Sequence, residues 1–515
     1  MLTKVYSAAI QGIDAYVVTI ETAVDRGVAF SIVGMPDTAV KESYQRITTA
    51  LKQSGIGFPH KRTVINLSPA DVKKEGAAFD LPMAIGIMAS NELLGVDYTL
   101  DDCMILGELS LDGSVLPVRG VLPMAITARE KGFRRMIVPA ANATEAAVVN
   151  DVEVYGVNSL AQTAQLLKGE SLLKPTVVNT RERFKAESGH FDLEFADVKG
   201  QEAVKRAFEV ACAGGHNILL IGPPGSGKSM MAKRLPSILP PLSLQEALET
   251  TKIHSVAGKL KSGSMLMTSR PFRTPHHTIS PVAMVGGGSN PQPGEISLSN
   301  NGILFLDEFP EFPRGVLEVL RQPVEDRVIT VARAKYTVTY PASFMLVASM
   351  NPCPCGYFGH PNRPCTCSPG AVSKYMNRIS GPLLDRIDIQ CEIQPVSFDA
   401  MASMQKGETS AEIRRRVVKA REIQQQRYRN ESGIYCNAQM NTRLIRTYAW
   451  PDREGMVKLK ERMEKMGMSA RAFDRILRVA RTIADLDGCD KVLSRHIAEA
   501  IGYRSLDRAS YGKIF

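Results

Sequence analysis

The residues best equipped for chemistry lie between Asn217 and Ser229, in the run NILLIGPPGSGKS. The apolar stretch Asn217 to Ile221 reads as a buried strand. It breaks into a loop of Gly222, Pro223, Pro224, Gly225, Ser226 and Gly227, after which Lys228 and Ser229 open a helical stretch, MMAKRLPSIL. The spacing G-x-x-x-x-G-K-S between a strand and a helix is suited to gripping a nucleoside triphosphate. Glycines let successive backbone N–H groups turn inward onto phosphate oxygens, and a helix N-terminus adds partial positive charge. Lys228 is expected to reach the β- and γ-phosphates and Ser229 to hold Mg2+.

Chemistry on that triphosphate needs acids and a sensor. In GILFLDE the apolar residues Ile303 to Leu306 form a strand that ends in Asp307 and Glu308. Asp307 would orient the Mg2+ shell and Glu308 would polarise an attacking water. The strand FMLVASM ends at Asn351, where a polar side chain can sense the γ-phosphate. In GPLLDRIDI, Arg386 is bracketed by Asp385 and Asp388. It is either a finger that stabilises charge on a neighbouring subunit's nucleotide or half of a local Asp–Arg pair. Between these pieces lies an insert, 240–300, holding the adjacent His276 and His277 and a mobile Gly286-Gly287-Gly288 loop. The histidines are either a metal pair or polar packing. Further on, VITVA and YTVTY flank Arg333 and Lys335. This is a hairpin with a basic tip, suited to a nucleic-acid backbone unless it is a plain solvated turn.

Cys353, Cys355, Cys365 and Cys367 follow closely on Asn351 in the pattern C-x-C-x9-C-x-C. Four thiolates can satisfy a tetrahedral Zn2+, and a small loop with no core of its own benefits from such a tie. C-x-C is tighter than the usual zinc spacing, so reduced thiols and redox or iron–sulfur chemistry stay open. His360 is a substitute ligand in reserve. The other five cysteines are scattered, unlike a disulfide framework.

The elements that must position these groups belong to a chain of 515 residues, long enough for about three domains. No apolar run approaches the roughly 20 residues that span a bilayer, and the N-terminus lacks the charged-then-apolar pattern of a signal peptide. A cytoplasmic protein without membrane partners is the expectation. Residues 411–515 hold 23 Lys and Arg against 13 Asp and Glu, which accounts for the chain's whole net charge of +10. Such a tail suits a polyanion or is simply a solvated helical surface. Residues 1–170 alternate strand-like and helix-like pieces, with a hairpin signal at Asp112-Gly113, and form an α+β or α/β domain. The stretch 171–190 reads as a linker. Residues 191–395 read as an α/β nucleotide-binding core with a parallel sheet and the cysteine loop 353–367. Residues 396–515 carry four helix-like stretches, a lid and basic terminal domain. In the third of them Arg475, Arg478 and Arg481 recur at helical spacing, as a charged face would.

Several motifs resemble known families. DVKKEGAAFDLPMAIGI and the stretch from ELSLDGS to AANATEA are similar to the proteolytic domain of Lon-type peptidases, which use a Ser–Lys dyad. Ala78 stands where that family has its serine and Leu122 where it has its lysine, so the resemblance implies the fold without peptidase activity. RPFRTPHHT, VGGG, PGEISLSNNGILFLDE and PLLDRID resemble the magnesium-chelatase-like branch of AAA+ ATPases across nearly all of 191–515. That resemblance implies ATP as the nucleotide, Val198, Lys199, Gly200 and Gln201 near its adenine, and Arg471 as the lid arginine that reaches its own subunit's γ-phosphate. The order of an inactive Lon-like domain, an AAA+ module, a cysteine loop and a helical tail resembles the competence-protein ComM family, also called YifB. It implies a homo-hexameric ring that uses ATP to drive branch migration of DNA, single-stranded or branched, during natural transformation. The alternative is a chelatase-type or protein-remodelling AAA+ ATPase without DNA activity. The Lon-like domain and the cysteine loop are the features that speak against a chelatase.

Overall fold

The computed structural model describes residues 2–58, 61–95, 99–187, 189, 191–260, 265–288, 291–332, 337–395 and 407–504. The chain divides into two units, and the division does not follow sequence order. The first comprises Met1–Glu187, Leu244–Met267 and Pro291–Pro293, the second Ser188–Ser243, Thr268–Asn290 and Gly294–Phe515.

The first unit is built on a seven-stranded mixed sheet. Its order is Phe30–Val33, Arg62–Ser68, Asp14–Asp25, Leu2–Gln11, Cys103–Ile105, Arg135–Pro139 and Glu153–Val157. Side chains alternate along each strand, so both faces must be covered. Cys103 and Ile105 join the core beneath the helices Thr38–Gln53 and Asp80–Ser90, whereas Met104 joins the core beneath Val121–Glu130 and Ala140–Ala146. Asp80–Ser90 is apolar on every side and is buried at every residue. Its one charge, Asp80, is held by a two-pronged contact with Arg46 at 2.6 and 3.0 Å. Burial still raises the Asp80 carboxyl to about 6, against the pull of Arg46. The hairpin at Asp112-Gly113 is present but small, joining only Glu108–Leu109 and Val115–Leu116, while Cys103–Ile105 runs in the main sheet.

A helix from the expected insert completes this unit. Leu244–Val256 packs against Val121–Glu130, with the Gly120 N–H donating to the Ser255 carbonyl at 3.2 Å and the Ser255 hydroxyl donating to Glu145. Lys252 pairs with Asp14, and Met265 and Leu266 enter the same core. The insert therefore belongs in part to the N-terminal core. The linker, too, holds a helix, Thr180–Glu187.

The second unit carries a five-stranded parallel sheet in the order Phe272–Arg273, Ile303–Leu306, Met345–Met350, Ile218–Ile221, Ile389–Glu392. Ile218–Ile221 and Ile303–Leu306 are apolar and buried at every residue, as burial on both faces requires. The helix after the phosphate loop is shorter than expected, Lys228–Ala232. Pro236 has no N–H to offer the Ala232 carbonyl and so stops it. The C-terminal helices Ser410–Tyr428, Thr442–Tyr448, Arg453–Met466, Ala470–Leu486 and Ser494–Gly502 share one hydrophobic core with the helix Glu202–Gly214 and the central strands.

The arginines of Ala470–Leu486 do not form a solvated face. Arg475 is 9% exposed and Arg481 1%, and Arg478 is half-buried. Arg475 donates to Asp388 at 2.5 Å, and Arg481 and Arg427 share Asp485. Arg427, Arg475 and Arg481 are thus paired within the fold rather than free for a partner. Burial pushes the Asp388 carboxyl up, but Arg475 and His216 outweigh it and hold the group well below the usual carboxylate range. Replacing Arg475 with Ala leaves that carboxylate buried without its cation. The expected loss is about 3 kcal/mol or more, read from the denaturant midpoint. A depressed pKa stabilises only above the unfolded value. The gap between wild type and variant should therefore narrow as pH falls below about 4.

Candidate active site

The parallel sheet brings three strand ends together. Ile221 is level with Met350, and Leu306 with Ala348, so the loops leaving these strands open side by side at their carboxyl ends. This is where open α/β sheets take their ligands. Gly225 and Gly227 of the phosphate loop have φ of +77° and +86°, a left-handed backbone that glycine adopts without strain. The following helix is so short that the loop N–H groups, rather than a helix dipole, must carry most of the anion affinity.

Lys228 Nζ donates to the carbonyls of Gly222 and Pro223 at 2.7 and 2.9 Å and to Asn351 Oδ1 at 3.1 Å. Burial lowers the lysine's pKa and Asp307 partly restores it. Ser229 Oγ donates to Asp307 Oδ2 at 2.5 Å, and Ser349 donates to the other carboxylate oxygen. Ser229 and Asp307 are hard oxygen donors of the kind Mg2+ takes, and they already touch. Lys228, Ser229, Asp307 and Asn351 thus lie in one cluster.

Glu308 occupies a left-handed conformation, φ +53°, uncommon for a residue with a side chain and frequent at working sites. Its carboxylate meets His277 Nδ1 at 3.1 Å. His276 stacks on His277 with ring centroids 4.1 Å apart and bonds Thr278 at 2.9 Å. Of the two histidines only His277 meets the glutamate, and among the described residues neither belongs to a group of three or more potential metal ligands. Sequence reasoning did not foresee His277 or Ser349 here. Ser349 had a signal, since it shares a strand face with Asn351 at period two; His277 had none.

Arg386 lies apart from this cluster. It is held by Glu325 through Nε at 2.9 Å and through a second contact from Nη2, and by neither flanking aspartate. Asp388 turns inward, accepting from the backbone N–H of Asn217 at 3.0 Å. Arg471 is exposed at the first turn of its helix. Val198 is buried in the core, and Gln201 Nε2 donates to the Gln394 carbonyl at 2.6 Å, just past the edge strand. The strands Val328–Ala332 and Thr337–Pro341 pair as an antiparallel hairpin, but Arg333 and Lys335 lie outside the described residues.

The four clustered cysteines converge. Sγ–Sγ distances are 3.3 Å for Cys353–Cys355, 3.6 Å for Cys353–Cys365 and 3.5 Å for Cys355–Cys365, and all four sulfurs lie within 4.8 Å of one another. Thiolates on a tetrahedral zinc with bonds of about 2.3 Å would sit about 3.8 Å apart, so the donor set fits. The N–H groups of Cys355 and Cys367 each donate to a cluster sulfur at 3.4 Å. His360 is not part of the converging group, which is the four cysteines alone; its Nδ1 accepts from the Asn362 N–H. In the first unit Ala78 offers no nucleophile, and Leu122 is fully buried in the core with its N–H on Glu145.

A phosphate loop at the end of a central parallel strand, flanked by the acidic strand and the polar strand end, defines a nucleotide-binding core of the AAA+ class. Comparison with known proteins narrows this. The family model described as "Magnesium chelatase, subunit ChlI" matches residues 194–401, that of its C-terminal part 407–504, and "Subunit ChlI of Mg-chelatase" 20–142. The competence protein ComM of Haemophilus influenzae is 42% identical over 98% of both chains, and the YifB protein of Escherichia coli K12 41% over 98% of both. Lon protease 2 of Bacillus subtilis is 28% identical over 26% of this chain and 23% of its own. The chain belongs to the magnesium-chelatase-like AAA+ proteins of the ComM/YifB family. Because a chelatase-named model also covers 20–142, the N-terminal domain does not by itself speak against a chelatase, contrary to the expectation from sequence.

Glu308→Gln should lower ATP turnover by about 100-fold or more while nucleotide still binds, the scale of losing a positioned general base. Lys228→Ala should lose binding as well. Phosphate release and titration with a fluorescent nucleotide check the two outcomes.

Proposed function

We propose that this protein is an ATP-driven DNA motor that acts as a homo-hexameric ring in branch migration of recombination intermediates during natural transformation. The observation that carries the reading is the 42% identity to a competence protein across 98% of both chains, over both units. It is supported by the cluster of Lys228, Ser229, Asp307 and Asn351 at the strand ends, beside which Glu308 follows Asp307 in sequence.

In this reading Mg2+ is held by Ser229 and Asp307, and the adenine lies near Val198 and Gln201. Arg386 leaves Glu325 to meet a neighbour's γ-phosphate, and Arg471 swings in from its lid helix. Arg333 and Lys335 are the candidates for DNA contact at the hairpin tip. The cysteines hold a structural Zn2+. The N-terminal unit, lacking a nucleophile at Ala78 and a base at Leu122, has no peptidase activity and serves as scaffold. No described helix is long and apolar enough to cross a membrane, which accords with work in the cytoplasm.

The chelatase-type or remodelling reading remains the second, favoured by three family models that bear the chelatase subunit's name. Branched DNA should accelerate ATP turnover by the wild type and should itself be migrated. Glu308→Gln should bind DNA without migrating it. The stimulation should fall steeply with added salt, as phosphate contacts require. ATP turnover indifferent to any DNA would overturn the motor reading in favour of the second.

A further inference from the structure

The cysteine cluster is built onto the nucleotide site. Asn351, whose Oδ1 accepts from Lys228 at 3.1 Å, is separated from Cys353 by Pro352 alone, and Cys353 is fully buried. At the first turn of the loop the Gly356 N–H donates to the Cys353 carbonyl at 3.0 Å, with Gly356 at φ +86°. Its backbone lies directly on the phosphate loop: a Cβ at Gly356 would stand 2.5 Å from Pro224 Cδ and 2.7 Å from Pro224 Cγ. Gly359, in the same loop and with a similar φ of +73°, has nothing within 4 Å of such a Cβ. One end of the cysteine loop thus continues from the γ-phosphate sensor, and one turn of it buttresses the phosphate loop.

We propose that the tetrathiolate site, occupied by a soft divalent cation such as zinc, is a positioning element of the nucleotide site, so that metal occupancy and nucleotide affinity are thermodynamically linked. The inference rests on the zinc reading above. Between Cys355 and Cys365 the loop is rich in Gly, Pro and polar residues, too little apolar surface to hold its own shape. Without an ion, only weak thiol contacts at 3.3–3.6 Å join the sulfurs, and the loop loosens. The turn at Gly356 then no longer bears on Pro224, and Asn351 loses its downstream anchor. The linkage is reciprocal: whatever metal does for nucleotide, nucleotide does for metal.

The test uses the full-length protein purified without chelator. Metal content is read by elemental analysis and affinity by a fluorescent ADP analogue. Wild type is expected to carry one zinc per chain. Gly356→Ala should keep its zinc yet bind ADP about tenfold more weakly, within the usual range of coupling. Gly359→Ala, with comparable backbone strain but no neighbour, should match wild type in both. Cys365→Ser should lose zinc and weaken ADP binding together. Independently of any variant, ADP should slow zinc transfer from wild type to a chromogenic chelator. Absence of zinc from wild type would overturn both the zinc reading and the linkage. Zinc present, with unaltered ADP affinity in Gly356→Ala and zinc release indifferent to ADP, would overturn the linkage alone.

Discussion

The parallel pairing of Ile218–Ile221 with Met345–Met350 on one side and Ile389–Glu392 on the other underlies everything the second unit can do. Side chains alternate along a strand, so a slip of one residue would turn Asn351 or Asp307 away from the phosphate loop. Asn217 holds the register at the strand's start. Its side-chain carbonyl accepts from the Leu346 N–H at 2.8 Å, and its backbone carbonyl from Asp388 and Ile389 at 3.1 and 3.0 Å. A single residue thereby ties three strands at one end so that their working residues meet at the other.

The same tie reaches the C-terminal helices through charge. Asp388 receives the Asn217 N–H and the Arg475 guanidinium, two residues after Arg386 and one helical turn after Arg471. Buried pairs of this kind add little net stability over apolar packing, but they admit only one geometry. They fix where the arginine-bearing segment and the lid helix stand relative to the sheet. Asp485, taking both Arg427 and Arg481, does the same within the lid. Three of the tail's cations, Arg427, Arg475 and Arg481, are structural, paired with Asp388 and Asp485.

Beside the phosphate loop the two carboxylates at 307 and 308 have different partners. Both carboxylate oxygens of Asp307 are taken by hydroxyls, from Ser229 and Ser349, which fixes its orientation. Glu308, with its left-handed backbone and its contact to His277, is held from outside by a segment that enters the sheet's edge through Phe272–Arg273. The N-terminal unit follows a different logic: its core is closed by Leu244–Val256, a helix borrowed from the middle of the nucleotide-binding sequence.

Local chemistry was legible in the chain itself. The loop at 222–229, the strand ends at 307 and 351 and the cysteine spacing each depend on near neighbours and a regular strand period. So do the helices Thr38–Gln53 and Asp80–Ser90, whose apolar patterning extends over whole turns. What only the tertiary structure decided are the long-range partners: Glu325 for Arg386, Asp388 for Arg475, His277 for Glu308, Pro224 under Gly356, and the first unit's claim on Leu244–Met267. Each joins residues that no periodicity connects, since a side chain's partner across the fold is set by how elements pack and not by its position along the chain.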